Sequence, residues 1–276
     1  MRSLYNLLGV DNDHYALPFV TSWAFGPGIL AVVRLLISSY AFVVIFVTYG
    51  VRPEGIGHSF SYFTELSYWG VAFYTLIAGI HGVVYSLRGR SWLDSWPRPL
   101  QALHGFYYTT IVTFPFLVTI VYWSILSPDP WYTVGVDRWR DLSKHGLNSA
   151  IALFELILPA TRRPPWLHLP GLIFLLALYL ALAYITHETE GFYPYNFLDP
   201  NDGTGTLVGY IFGILAGACV IFIIVWFAIW ARKSFTPEGK KSRYDNEGIR
   251  GADIEMVASQ TAKGPQANHD HGERRV

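Results

Sequence analysis

Charge is what this sequence lacks. Asp, Glu, Lys and Arg make up 14% of its 276 residues, against about 25% in a typical soluble domain. With 52% apolar residues gathered into long runs parted by short polar stretches, the chain has the pattern of one solvated by lipid rather than water. Cysteine is nearly absent as well. Cys219 is the only one, so an intrachain disulfide is excluded, and its place in the last apolar run makes it a small packing residue. The formal net charge is zero and no Lys/Arg cluster interleaves with aromatics, which excludes a nucleic-acid partner. No charged start, apolar core and small-residue cleavage pattern precedes Gly26, so no cleavable leader is expected and the first spanning helix directs insertion. The lack of a useful internal repeat argues against an inverted-repeat transporter.

What is present is a set of six apolar stretches: Gly28 to Gly50, Tyr62 to Leu87, Leu100 to Leu126, Leu142 to Ala160, Leu169 to Thr186 and Leu207 to Ala231. They predict an all-α, polytopic membrane bundle of six transmembrane helices, since a bilayer needs about 20 apolar residues per crossing. The fourth is short and carries Glu155; it is either a span or a re-entrant, interfacial segment. Six crossings place Arg2, Arg88, Arg90, Arg98, Arg162, Arg163, Arg232 and Lys233 on one side, against Arg52, Arg138, Arg140 and Lys144 on the other. Basic residues near span ends stay cytoplasmic, so both termini are expected there. The chain then divides into a cytoplasmic segment 1–27, a six-helix domain 28–231 and a polar, aromatic-poor tail 232–276 expected to be disordered. His269 and His271 in "HDHGERR" read as solvated tail residues.

Within the spans, Gly209, Gly213 and Gly217 share one helical face and form an expected packing seam, toward another helix of the chain or toward a second copy. Pro115 should kink the third span, with Thr110 or Thr113 satisfying freed backbone groups. Arg34, about two turns inside the first span, is expected to snorkel to the interface.

The topology brings distant polar residues to one membrane face. Thr64 and Glu65 open the second span there, "KHGLN" opens the fourth, and "YITHETEGFYPYNFLDP" closes the fifth, adding His187, Glu188, Glu190, Tyr193 and Tyr195. On the fourth helix Asn148 lies about 60° from His145, and Glu155 about 20° from Asn148, so a polar stripe runs inward. Such residues line a functional cavity, or they make interhelical hydrogen bonds and nothing more. In the first case a hydroxyl and an imidazole are the usable pair, with Thr64 as nucleophile and a histidine accepting its proton.

"SYFTELSYWGVAFYTLI", "KHGLNSAIALFELILP" and "AYITHETEGFYPYNFLDP" resemble three successive blocks of the androgen-induced protein family, which includes the androgen-dependent TFPI-regulating protein. Fungal members look nearest and share "RPLQALHGFYYTTIVTFPFLVTIVYW"; insect rolling-stone proteins are more distantly similar. The resemblance covers about Phe60 to Ala231. It implies a six-span threonine hydrolase of fatty acid esters of hydroxy fatty acids, its threonine falling on Thr64. The family's histidine belongs to an HG-x-H pattern whose second His falls on Asn148, because this chain reads "HGLN". A neutral amide cannot serve as a base near pH 7. Either His145 or His187 takes over the proton, or this branch has lost hydrolysis.

Three functions follow as expectations. The first is a cofactor-free lipid-ester hydrolase of the endoplasmic reticulum or plasma membrane, with Thr64 and His145 catalytic, Asn148 or Tyr195 offering a hydrogen bond to the oxyanion, and Glu155 and His187 supporting the pocket. The second is a noncatalytic scaffold or lipid-binding protein, self-associating through the glycine seam. In the third, His81 with His104 and His145 with His187 hold two haems, one per leaflet, as a transmembrane electron path.

Overall fold

The computed structural model describes residues 4–10, 15–128, 130, 132 and 134–236. Most of the expected tail, with His269 and His271, and Arg2 lie outside the described residues. Met1–Arg232 form one compact unit, and Lys233–Val276 fall outside it. Among the described residues the protein is all-helical, the only extended pairing being an isolated bridge between Ser22 and Pro159. The main helices are α1 (Pro27–Val51), α2 (Phe63–Arg88), α3 (Arg98–Ile111), α4 (Phe114–Val121), α5 (Gly135–Leu142), α6 (Asn148–Ile157), α7 (His168–Glu190) and α8 (Thr204–Phe235). Single π-helical turns follow α4, at Tyr122–Leu126, and join α5 to α6, at Ser143–Leu147. Five stretches are long and apolar enough to cross a membrane: α1, α2, α3 with α4 as far as Leu126, α7 and α8. That is the composition of a multi-pass membrane protein.

α1 and α2 pack along their length because α2 presents glycine where α1 comes near. A methyl group at Gly82 would stand 2.9 Å from Ala31 Cβ, and one at Gly79 would stand 2.8 Å from Leu35 Cδ2. This is the close-approach seam of the bundle. The stripe Gly209, Gly213 and Gly217 meets little of its own chain: among the described residues nothing lies within 4 Å of a methyl at Gly209 or Gly213, and one at Gly217 would meet only Leu117, at 3.6 Å.

Arg34 does not snorkel. It is fully buried, its Nε and Nη2 each donate to Glu155 at 2.7 Å, and Nη1 donates to the Phe19 carbonyl at 2.5 Å. Lipid offers no solvation for an isolated guanidinium, so the charge turns inward to a carboxylate on α6 and makes a bidentate pair.

The N-terminal segment, expected on the cytoplasmic side, is woven into the bundle: Val10 is buried in the main core, and Tyr5 and Leu8 pack against it. Ala16 and Val20 are fully buried. Ser22 Oγ donates to the Leu158 carbonyl at 2.6 Å, Trp23 Nε1 to that of Ile157 at 2.7 Å, and Arg232 Nη1 to that of Leu156 at 2.9 Å. Three carbonyls left over at the end of α6 are thereby satisfied, as a buried helix end requires.

The third span is broken at Pro115 as expected, with α3 ending at Ile111 and α4 starting at Phe114. The expected threonines do not repair the break. Thr110 donates to the Tyr107 carbonyl within its own turn, at 2.7 Å, and Thr113 Oγ1 has no hydrogen-bond partner.

The fourth expected span is helical from Gly135 through Ile157, but it is not among the five apolar stretches. Its charges are compensated by neighbours. Asp137 meets Arg52 at 3.0 Å and Arg140 at 3.1 Å, Arg140 meets Asp141 at 3.0 Å, Lys144 pairs with Glu65, and Glu155 pairs with Arg34.

Candidate functional site

Extended backbone at Tyr62 (φ −96°, ψ 129°) starts α2 at Phe63, so Thr64 and Glu65 fall in its first turn. There the acid also faces the positive end of the helix dipole. The Glu65 carboxylate accepts from Lys144 Nζ, which binds the start of α2 to the π turn between α5 and α6. A cavity of about 430 Å³ opens beside this pair, and Thr64, Glu65, Asp141, Lys144, His145 and Tyr195 are among the residues that line it.

His145 sits inside the second π turn and is 8% exposed. Its ring stacks on Tyr122, at the start of the first π turn, with centroids 3.6 Å apart and planes 5° from parallel. Trp123 Nε1 donates to the His145 carbonyl at 3.1 Å. The Tyr122 hydroxyl donates to Asp141 Oδ2, whose other oxygen accepts from Arg140 Nε at 3.0 Å. A π turn inserts one residue into the α-helical register and re-aims the side chains around it, and such turns gather at functional sites. Two of them face one another here. The Nδ1 of His145 is buried without a hydrogen-bond partner.

Thr64 also lines a second, apolar cavity of about 190 Å³ that runs between α4, α7 and α8, and Tyr195 lines both. Tyr195, in the loop after α7, has its phenol pushed above the ordinary tyrosine value by burial, partly offset by hydrogen bonding to Thr64 and Tyr179. It therefore keeps its proton near neutral pH and can donate it to an oxygen beside Thr64.

Of the expected site residues, Thr64, His145 and Tyr195 come together at one cavity. Asn148, Glu155 and His187 do not line it. Asn148 is fully buried one turn beyond His145, with neither amide atom hydrogen-bonded. Glu155 is occupied by Arg34. His187 stacks on Tyr193 at 3.9 Å and lies 3.7 Å from Glu188, at the partly exposed end of α7. The partners that matter most around His145, namely Tyr122, Asp141 and Lys144, were not singled out from the sequence. The available signal was "DRWRDLSK", a cluster of charge directly before a histidine in an otherwise charge-poor chain.

The residues do not fit haem. His81 and His104 pack edge to face, centroids 5.6 Å apart, with Trp96 at 5.0 Å from one and Phe19 at 4.9 Å from the other, which leaves no slot for a macrocycle between the rings. His145 and His187 each lie flat on a tyrosine. Among the described residues no group of three or more His, Cys, Asp or Glu side chains is placed to hold a metal ion.

Compared with known protein families, with curated proteins and with solved structures, the chain matches none.

Proposed function

We propose that this protein is a membrane-embedded hydrolase of lipid esters, with Thr64 as nucleophile and His145 as base. One observation carries the reading: Thr64 lies where a polar cavity holding His145 and an apolar cavity meet, the place an ester occupies when its chain is in lipid-like surroundings and its carbonyl faces catalytic groups. Thr64 Oγ1 attacks the carbonyl carbon while His145 takes its proton, and Tyr195 donates to the developing oxyanion. The leaving alkoxide takes the proton from His145. Water then attacks the acyl-threonine, gives a proton to His145 and releases the acid, regenerating Thr64. Resemblance to the androgen-induced protein family supports the same two roles, with His145 in place of the histidine that Asn148 replaces.

The same reading includes a sixth crossing by α5 and α6, supported by the pairing of nearly every charge they carry. The Arg88, Arg98, Arg162 and Arg232 end is assigned to the cytoplasm and Thr64 to the opposite face, in the endoplasmic reticulum or plasma membrane. The outward glycines Gly209 and Gly213 support close pairing with a second copy.

A second reading, noncatalytic lipid binding in the same cavities, is favoured by one feature: Asn148 is buried and unpaired at the position where the family resemblance implies the base. Hydrolysis of a branched fatty acid ester by purified protein in detergent separates the two. Activity in the native chain, lost in folded Thr64→Ala and His145→Ala, establishes the hydrolase; inactivity of the native chain on several lipid esters leaves lipid binding.

A further inference from the structure

We propose that the apolar cavity is the acyl-chain slot of this site, and that Ala177 and Ile173 on α7 set the length of chain it accepts. The inference rests on the hydrolase reading of Thr64 and goes beyond it, by assigning which part of the substrate enters which cavity and which side chains measure it.

The two cavities divide the work by chemistry. The one holding His145 is lined by two carboxylates, Glu65 and Asp141, and the cations Arg52, Arg140 and Lys144; an alkyl chain there would displace solvent from charged groups with nothing to replace it. The other is walled by aliphatic side chains from α4, α7 and α8, and its polar groups, Thr64, Tyr179 and Tyr195, gather at one end. A slot polar only at the end where the nucleophile stands orients an ester in one way. The carbonyl stays at Thr64 and the chain runs down between the helices.

α7 supplies the scale. Tyr179 belongs to the mouth: its hydroxyl donates to the Ser61 carbonyl at 3.1 Å and its ring lies 5.0 Å from that of Phe63, the neighbour of Thr64. Ala177 and Ile173 line the same cavity further along the helix, about 3 Å and about 9 Å below Tyr179 at 1.5 Å per residue. Ile173, Ala177 and Leu180 are spaced to share one face. Ala177 is the smallest side chain on that face, so the middle of the slot is open because nothing beyond a methyl fills it. Added bulk should block the slot at a depth set by its position, shallow at Ala177 and deep at Ile173.

The test uses purified full-length protein in detergent, in native, Ala177→Phe and Ile173→Trp forms, each checked by thermal unfolding and size-exclusion chromatography. Saturated fatty acids from butyrate to palmitate displace bound cis-parinaric acid, and p-nitrophenyl esters of the same chains report kcat/KM. Ala177→Phe should weaken palmitate by at least about tenfold, the scale on which a pocket discriminates by filled volume, and weaken butyrate far less. Ile173→Trp should act in the same direction but only on the longest chains. Native chain-length profiles in both folded variants, or no displaceable fatty acid on the native protein, would overturn the assignment. Length-dependent binding that shifts as expected in a protein hydrolysing none of the esters would sink the hydrolase reading and leave the slot standing.

Discussion

His145 lies flat against Tyr122, centroids 3.6 Å apart and planes 5° from parallel, while the Tyr122 hydroxyl reaches Asp141. The stack fixes the plane of the imidazole; the hydrogen bond fixes the ring that fixes it. Tyr122 thus acts as a positioning residue for the proposed base.

The two contributions separate by mutation. Tyr122→Phe keeps the stacked face and should lower kcat by less than about tenfold, whereas Tyr122→Ala frees the imidazole and should cost about a hundredfold, the usual penalty for a catalytic group misplaced by about 1 Å. Equal losses in the two variants, or a change in KM alone, would remove Tyr122 from this role.

Tyr195→Phe should lower kcat by about a hundredfold or more with little change in KM, as expected for removal of a donor to a developing oxyanion. Burial holds the Tyr195 phenol above the ordinary value of 10.0, so the protonated, donating form persists through neutral and mildly alkaline pH and is lost only above that value. The native pH–rate profile should therefore show no alkaline limb attributable to tyrosine below about pH 10. A limb near pH 8 that Tyr195→Phe abolishes would contradict this.

Glu155 and Arg34 are fully buried together, so removing one leaves the other charged, unsolvated and unpaired. Glu155→Ala should cost about 3–5 kcal/mol, and the double variant Arg34→Met with Glu155→Leu should recover most of that loss. Thermal unfolding of the three proteins in one detergent reads the comparison. A Glu155→Ala variant as stable as the native chain would mean the pair does not hold α1 to α6.

Two glycines give opposite expectations. Gly82→Val drives a side chain into Ala31 and should destabilise the fold by about 1–3 kcal/mol, while a Cβ at Gly213 meets nothing within 4 Å among the described residues, so Gly213→Leu should leave unfolding unchanged. If the outward stripe pairs two copies, Gly213→Leu should shift the sedimentation of the detergent-solubilised protein toward the monomer. An unchanged distribution would end that part of the reading.

Several of these features were legible in the linear chain. Hydropathy runs located the five helices long and apolar enough to cross a membrane to within a few residues, because lipid tolerates little else at that length. Pro115 announced its break, because a ring without an N–H cannot continue the helix. Thr64, His145 and Tyr195, which an expected count of six crossings put at one face, line one cavity. Arg34 and Glu155 were each visible as a lone charge in an apolar run, yet their union was missed: a charge in lipid must find a partner, but only the fold says which one.

The amino-acid sequence by itself therefore determined the solvent, the helical class, the order of the spans and the end of the bundle where polar groups collect, since these depend on composition and on the 1.5 Å rise of a helix. Tertiary structure alone decided which glycines face a neighbour, that the N-terminal segment caps α6, that two π turns press His145 onto Tyr122, and that Glu155 serves Arg34 rather than the cavity. Those outcomes turn on rotation about helix axes and on contacts between different helices, up to 136 positions apart along the chain, neither of which periodicity along one helix can specify.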